Sequence, residues 1–182
     1  MPSMKIIRKE QINIQKWLAL VQNSKVSTPF QTFEYYDFFN SVAGFSADVF
    51  AIEENNEYLS LVVVTIQSEK GIKSSFSKRG IIYGGFLLAE NSGEALEILL
   101  KNINKQYSGE LIYLETRNFN DYSAYKTVFE NQKWQYNPWL NYHLSAIDAA
   151  SVKKNMSSSR VRQIKKATNS GATWKQANTI ED

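Results

Sequence analysis

Asp48-Val49-Phe50-Ala51-Ile52-Glu53-Glu54-Asn55-Asn56-Glu57-Tyr58-Leu59-Ser60-Leu61-Val62-Val63-Val64-Thr65-Ile66-Gln67 is the stretch on which the fold turns. Two runs rich in β-branched and aromatic residues, Asp48 to Glu53 and Tyr58 to Gln67, flank the polar turn Glu54-Asn55-Asn56-Glu57, a pattern that predicts an antiparallel hairpin. Upstream, Ile14, Trp17, Leu18 and Val21 repeat at helical spacing, and the stripe should stop near Asn23-Ser24. After Ser27-Thr28-Pro29, a second helix is expected over Gln31 to Val42, with Tyr35, Phe38, Phe39 and Val42 on one face.

Downstream, a third strand includes Ile81-Ile82-Tyr83, entered through Lys78-Arg79-Gly80 and left through Gly84-Gly85. Asn91 and Glu94 read as a capping-box variant before a helix with the stripe Leu96, Leu99, Leu100 and Ile103, ended by Ser108-Gly109. Glu110 to Thr116 reads as a strand, and Asp121 to Asn131 as a helix capped by Asn120 or Asp121. Trp134 to Ile147 reads as a long strand broken at Pro138, Asp148 as the cap of a following helix, and Ala172 to Ala177 as a last short strand. The order is that of a GNAT-type α/β (α+β) fold: a mixed, largely antiparallel sheet with helices on both faces.

The chain is 182 residues long with a net charge of +3, and 43% hydrophobic residues are ample for a packed core. Its longest apolar run, Leu59 to Ile66, is too short for a bilayer span and is broken by Ser60 and Thr65. The amino terminus lacks the long apolar region of a signal peptide, so a cytoplasmic location is expected. With no cysteine and one histidine, thiol nucleophiles, thiolate metal sites and histidine-based metal clusters are excluded. No metal or cofactor is expected. His143 falls on the polar side of its alternation and is read as a sheet residue rather than a catalyst.

Charge is concentrated. From Asp148 to Glu181 no acidic residue intervenes, while Lys153, Lys154, Arg160, Arg162, Lys165, Lys166 and Lys175 supply seven positive charges. Residues 1–148 hold 14 basic and 16 acidic residues, a net of −2. Arg162 and Lys166 share one helical face, with Val161, Ile164 and Thr168 on a narrower apolar one, so this segment suits phosphate contact. Trp174 alone is too little for a base-stacking platform. Two further anion candidates are Lys78 with Arg79, where Arg79 supplies a planar fork, and Arg117, in a loop after a strand. A conventional acetyl-CoA site should present a glycine-rich turn running straight into a helix, whose N–H groups face the pyrophosphate. Here Gly84-Gly85 is followed instead by Phe86-Leu87-Leu88-Ala89.

Gln31-Thr32-Phe33-Glu34-Tyr35-Tyr36, the Lys78-Arg79-Gly80 corner and Asp148 through Gly171, with its Arg160, Ile164-Lys165-Lys166-Ala167 and Gly171, resemble in that order the first lobe of the Fem (FemA/FemB-like) peptidyl transferases. The resemblance implies two GNAT-like lobes, aminoacyl-tRNA as donor, and a peptidoglycan or other glycan precursor as acceptor. It implies a lobe over 1–147, and a basic linker with the start of a second lobe over 148–182, so that this chain by itself is expected to be inactive. A precursor-holding lysine of that family falls near Asp37 here, where the sign of the charge is reversed. The substrate-binding candidates are Lys78, Arg79, Arg117, Arg160, Arg162 and Lys166; no catalytic residue is assigned. Two other classes remain: a CoA-dependent N-acyltransferase on an amino sugar, and a non-catalytic interaction module.

Overall fold

In the computed structural model, which describes residues 3–68, 77–139 and 145–175, the chain forms two units, Met1–Pro138 and Trp139–Asp182. The first unit runs β1 (Lys5–Arg8), α1 (Ile14–Asn23), α2 (Phe33–Ser41), β2 (Phe45–Glu54), β3 (Glu57–Gln67), β4 (Arg79–Gly84), β5 (Leu87–Leu88), α3 (Gly93–Tyr107), β6 (Leu114–Asn118) and α4 (Lys126–Asn131). Short 3-10 turns occupy Lys9–Gln11, Pro29–Gln31 and Ser123–Tyr125.

The hairpin closes through the two residues best suited to it. Asn55 and Asn56 take φ of 50° and 69°, the left-handed geometry whose twist matches that of paired strands, and asparagine tolerates it. β2 and β3 then pair antiparallel from Phe45↔Gln67 to Glu54↔Glu57, with one irregularity at Ile52/Glu53. β1 joins β2 antiparallel, β4 and β5 join β3 antiparallel, and β6 joins β4 parallel. The sheet order is β1-β2-β3-β4-β6 with β5 also paired to β3.

Alternation along β2 and β3 feeds two apolar layers. Phe50, Ile52, Val62, Val64 and Ile82 meet Leu96, Leu99, Leu100 and Ile103 of α3, and α4 adds Val128 and Phe129. Val49, Ala51, Leu61 and Val63 meet Trp17 and Leu20 of α1 and the α2 residues Phe33, Tyr35, Tyr36 and Phe39. Because both faces are covered, β2 and β3 read as near-continuous apolar runs rather than simple alternation.

The second unit holds α5 (Ala149–Asn155) and α6 (Ser158–Asn169), capped by Asp148, whose Oδ1 accepts from the Ser151 amide at 2.8 Å, and by Ser157, whose Oγ accepts from the Arg160 amide at 3.3 Å. The cap expected at Asp148 is therefore present. No residue of either helix is buried.

Several sequence expectations change. β1, unmarked because four residues carry little periodicity, pairs through backbone groups with the buried β2. Gln31 does not open α2; it closes a 3-10 turn and is fully buried. The cap of α3 is Ser92, not Asn91, and its hydroxyl donates to the Ala89 carbonyl at 2.8 Å instead of capping. β6 begins at Leu114 rather than Glu110, because Gly109 in left-handed geometry (φ +77°) leads into a turn. Residues 121–125 are not α-helical: Asp121 Oδ1 accepts from the Ser123 amide at 2.8 Å, an Asx turn that leads into the 3-10 turn at Ser123–Tyr125 and delays α4 to Lys126. Neither 134–139 nor 145–147 is strand, and 172–175 is not either; His143 and the remainder of those two expected strands lie outside the described residues.

Candidate functional site

Two consecutive glycines end β4 and set the local architecture. Gly84 and Gly85 both take positive φ, +78° and +90°, a pair of left-handed steps that L side chains rarely adopt. A Cβ on Gly84 would lie 2.3 Å from Thr28 Oγ1, and one on Gly85 2.6 Å from Tyr122 Oη and 2.7 Å from Asn118 Oδ1. The turn is thus enclosed by the segment before α2 on one side and by the segment after β6 on the other.

Gln31 locks it. Its Nε2 donates to the Gly84 carbonyl at 3.3 Å and the Gly85 carbonyl at 3.0 Å, while its Oε1 accepts from the Thr28 amide at 2.7 Å and the Thr28 hydroxyl at 3.0 Å. The Gln31 carbonyl accepts from Trp17 Nε1 at 2.7 Å, which ties the same residue to α1. Tyr122 completes the enclosure by donating to the Phe86 carbonyl at 2.6 Å, and burial holds its phenol well above its usual range. Every polar atom of Gln31 is therefore spent on structure.

The turn is not the start of a helix. Between it and α3 lie Phe86 and β5, all buried, and α3 starts at Gly93 with Glu94 in its first turn, where a carboxylate competes with phosphate for the positive end of the helix.

Beside the turn, strand register assembles a polar and aromatic platform. Gln67 opposes Arg79, and Tyr83 opposes Arg117 across the parallel β4–β6 pair. Alternation puts all four, with Glu115 and Thr65, on the face that α1 and α2 cover. Gln67 joins two of them: its Oε1 accepts from Arg79 Nε at 3.2 Å, and its Nε2 donates to Tyr83 Oη at 3.3 Å. The Arg117 guanidinium carbon lies 5.3 Å from the centre of the Tyr83 ring, a cation–π placement. Arg117 Nε donates to Glu115 Oε1 at 2.8 Å, and this hydrogen-bonded carboxylate keeps Arg117 still more firmly charged.

Aromatic rings extend this surface. Phe30 lies 5.9 Å from Tyr83 and 5.4 Å from Phe119, and Phe39 stacks on Tyr83 at 6.4 Å and 25°. Tyr35 is 6.2 Å from Tyr83, and its hydroxyl is 3.4 Å from Thr65 Oγ1. Burial pushes the Tyr35 phenol up to about 12, so it stays protonated at neutral pH and acts as a hydrogen-bonding group rather than a base.

Of the sequence candidates, Arg79 and Arg117 share one sheet face and are each linked to Tyr83, Arg79 through Gln67, while Arg117 lies within β6 rather than in a loop after it, and Lys78 stands aside. Lys78 is 3.6 Å from Glu110, and its carbonyl accepts from the Ile112 amide at 2.8 Å. Gly80 does not bring backbone to a ligand: a Cβ there would meet Leu114 and Leu111 side chains at 2.6 and 2.7 Å, so the missing side chain serves the packing of β6. Asn120 donates to the Val26 carbonyl at 2.9 Å. Arg160, Arg162 and Lys166 lie on α6 in the second unit, all exposed, with Arg160 donating to Gln163 at 3.1 Å. Gln31, Gln67, Tyr83 and Glu115 were not singled out as candidates. Gln67 and Tyr83 sit at strand ends where period-2 register with Arg79 is readable, but the parallel partner of Tyr83 is not.

No protein-family model matches this sequence, and neither does any curated protein. Solved structures do match in fold. An aminoglycoside N-acetyltransferase, AAC(6')-Iy, in complex with CoA matches with a TM-score of 0.53 at 8% identity, covering 80% of this chain and 97% of that one. An aminoglycoside acetyltransferase from an uncultured soil metagenomic sample, in complex with sisomicin, gives 0.54 at 13% identity over 78% of this chain and 95% of that one. A transcriptional regulator from Bacillus halodurans gives 0.54 at 10% identity over 78% and 100%. The chain has the GNAT acetyltransferase fold. At these identities the likeness is one of fold and does not carry a substrate.

Proposed function

We propose that this chain is the acyl-transfer lobe of a GNAT-type transferase that joins an activated acyl group to an amine. The observation that carries the reading is the sheet itself, β1 to β6 with helices on both faces, matched to solved N-acetyltransferases over nearly their whole length. In such a transfer the amine nitrogen bonds to the acyl carbon, the bond from that carbon to its leaving sulfur or oxygen breaks, and the amine proton passes to solvent or leaving group. Catalysis rests on positioning the two reactants.

Two donors fit this class. CoA-dependent N-acylation of an amino sugar is what the solved aminoglycoside acetyltransferases suggest. The second is a Fem-like transfer from aminoacyl-tRNA to a peptidoglycan or other glycan precursor; the exposed cations of α6 support it, as does the enclosed Gly84-Gly85 turn, at which no helix N-terminus opens to take a pyrophosphate. In that reading α6 supplies phosphate contacts through Arg160, Arg162 and Lys166, residues 1–147 form the lobe, and residues 148–182 lead to a second lobe.

Calorimetry with acetyl-CoA separates them. Micromolar binding by the wild-type chain supports the CoA reading and overturns the second. Silence with acetyl-CoA, together with aminoacyl-tRNA binding that weakens with salt and drops in Arg162→Ala/Lys166→Ala, supports the Fem-like reading. A chain that binds neither donor is an interaction module, and the acyl-transfer proposal fails.

A further inference from the structure

We infer that the platform on β3, β4 and β6 is an acceptor subsite for a sugar bearing a phosphate or carboxylate, the anion held by Arg79 and Arg117 and the sugar ring laid on the aromatic row. This rests on the acyl-transfer reading, and it names which acceptors that lobe selects.

Charge decides the sign of the ligand. Arg79 and Arg117 both stand on one sheet face, and among the described residues Glu115 is the only carboxylate that pairs with either. Glu115 takes one edge of Arg117, through Nε at 2.8 Å and Nη2 at 2.6 Å on the same oxygen, which fixes the plane of the guanidinium over Tyr83. Arg79 commits its Nε to Gln67, a hydrogen bond that leaves the four N–H groups of its two terminal nitrogens uncommitted by Gln67. Each arginine is thus oriented by a neighbour yet keeps donors for an incoming group, the arrangement that suits planar, bidentate capture of phosphate or carboxylate. A polycationic acceptor would meet two like charges here.

Ring surface decides the rest. Phe119 is 37% exposed and packs against Phe30 at a tilt of 40°, and Phe30 continues to Tyr83. A row of half-exposed aromatic rings next to a fixed anion site matches a ligand with an apolar sugar face and a charged substituent. Lys78, one residue from Arg79, lies outside the site because its ammonium is engaged by Glu110.

The test is calorimetry on the full chain, without donor, using glucosamine 6-phosphate, glucosamine and inorganic phosphate. Glucosamine 6-phosphate is expected to bind at least about tenfold more tightly than glucosamine, the equivalent of one charge-assisted hydrogen bond. It is also expected to bind more tightly than phosphate alone. Arg79→Gln and Arg117→Gln each should erase the preference over glucosamine, Phe119→Ala should erase the preference over phosphate, and Lys78→Gln should change neither. Circular dichroism of each variant confirms folding. Equal binding of the two sugars, no binding of either, or a loss in Lys78→Gln as large as in Arg79→Gln overturns the subsite. Phosphate binding as tightly as the sugar phosphate overturns the role of the aromatic row. Because no donor is present, these results stand whether or not acyl transfer is later observed.

Discussion

Gln31 concentrates more structure than any other polar residue of this chain. Fully buried, it satisfies two carbonyls of a left-handed turn, takes two donors from Thr28, and receives the indole of Trp17 on its backbone. Gln31→Leu keeps the volume and strands these groups, so urea denaturation is expected to give a loss of about 2 to 4 kcal/mol. Gln31→Glu should lose more, since a carboxylate facing two carbonyls cannot donate while ionised. The glycines provide a matched comparison. Gly84 and Gly109 share nearly the same φ, +78° and +77°, but a Cβ at Gly109 meets nothing within 4 Å while one at Gly84 meets Thr28 at 2.3 Å. Gly109→Ala should therefore cost only the left-handed backbone term, about 1 to 2 kcal/mol, whereas Gly84→Ala adds a clash with the Gln31 network and should cost clearly more in the same assay. Composition alone marks both as turn glycines; only the contact distances rank them.

At the scale of elements, α1 is joined to the sheet edge by an ionic link. Glu53 of β2 accepts from Lys16 at 2.6 Å and pairs with Lys5 at 2.7 Å, and the hydrogen bond from Lys16, then that from Lys5, lowers its carboxyl below the usual range. The folded state therefore favours the ionised form. Its stabilisation is complete above the unfolded value of about 4.3 and is lost as pH falls through the lower folded value. Glu53→Gln should lower the melting temperature at pH 7 and flatten the fall in stability below about pH 4, as followed by thermal scans. Helix α3 depends on burial instead: Leu96, Leu99, Leu100 and Ile103 are all 0% exposed. Leu99→Ala should cost about 2 to 5 kcal/mol in chemical denaturation. The stripe of α3 was fully legible at 3.6 spacing, as was the hairpin, because each buries a regular apolar face; α1 was legible as a helix, but Ile14 of its expected stripe is 42% exposed and Leu20 is buried instead. The starts of β6 and α4 were not legible, since a left-handed glycine and an Asx turn move them by several residues.

For the molecule as a whole, the two apolar layers draw, among the described residues, on those of the first unit. A fragment ending at Pro138 should keep the near-ultraviolet dichroism and cooperative melting of the full chain, and a large loss of either would place essential packing beyond that residue. The basic segment belongs to the other unit, and no described helix is long and apolar enough to cross a membrane. Local pattern alone determined the hairpin, the apolar stripe of α3, the cap at Asp148 and the concentration of positive charge after it. These follow from periodicity, capping chemistry and charge, which act over a few residues. Tertiary structure alone decided that Arg79 and Arg117 share one face while Lys78 is tied to Glu110, that Gln31 closes the Gly84-Gly85 turn, and that Gly80 makes room for β6. Those outcomes depend on strand register and contacts between residues more than thirty positions apart in sequence, a relation that no local period encodes.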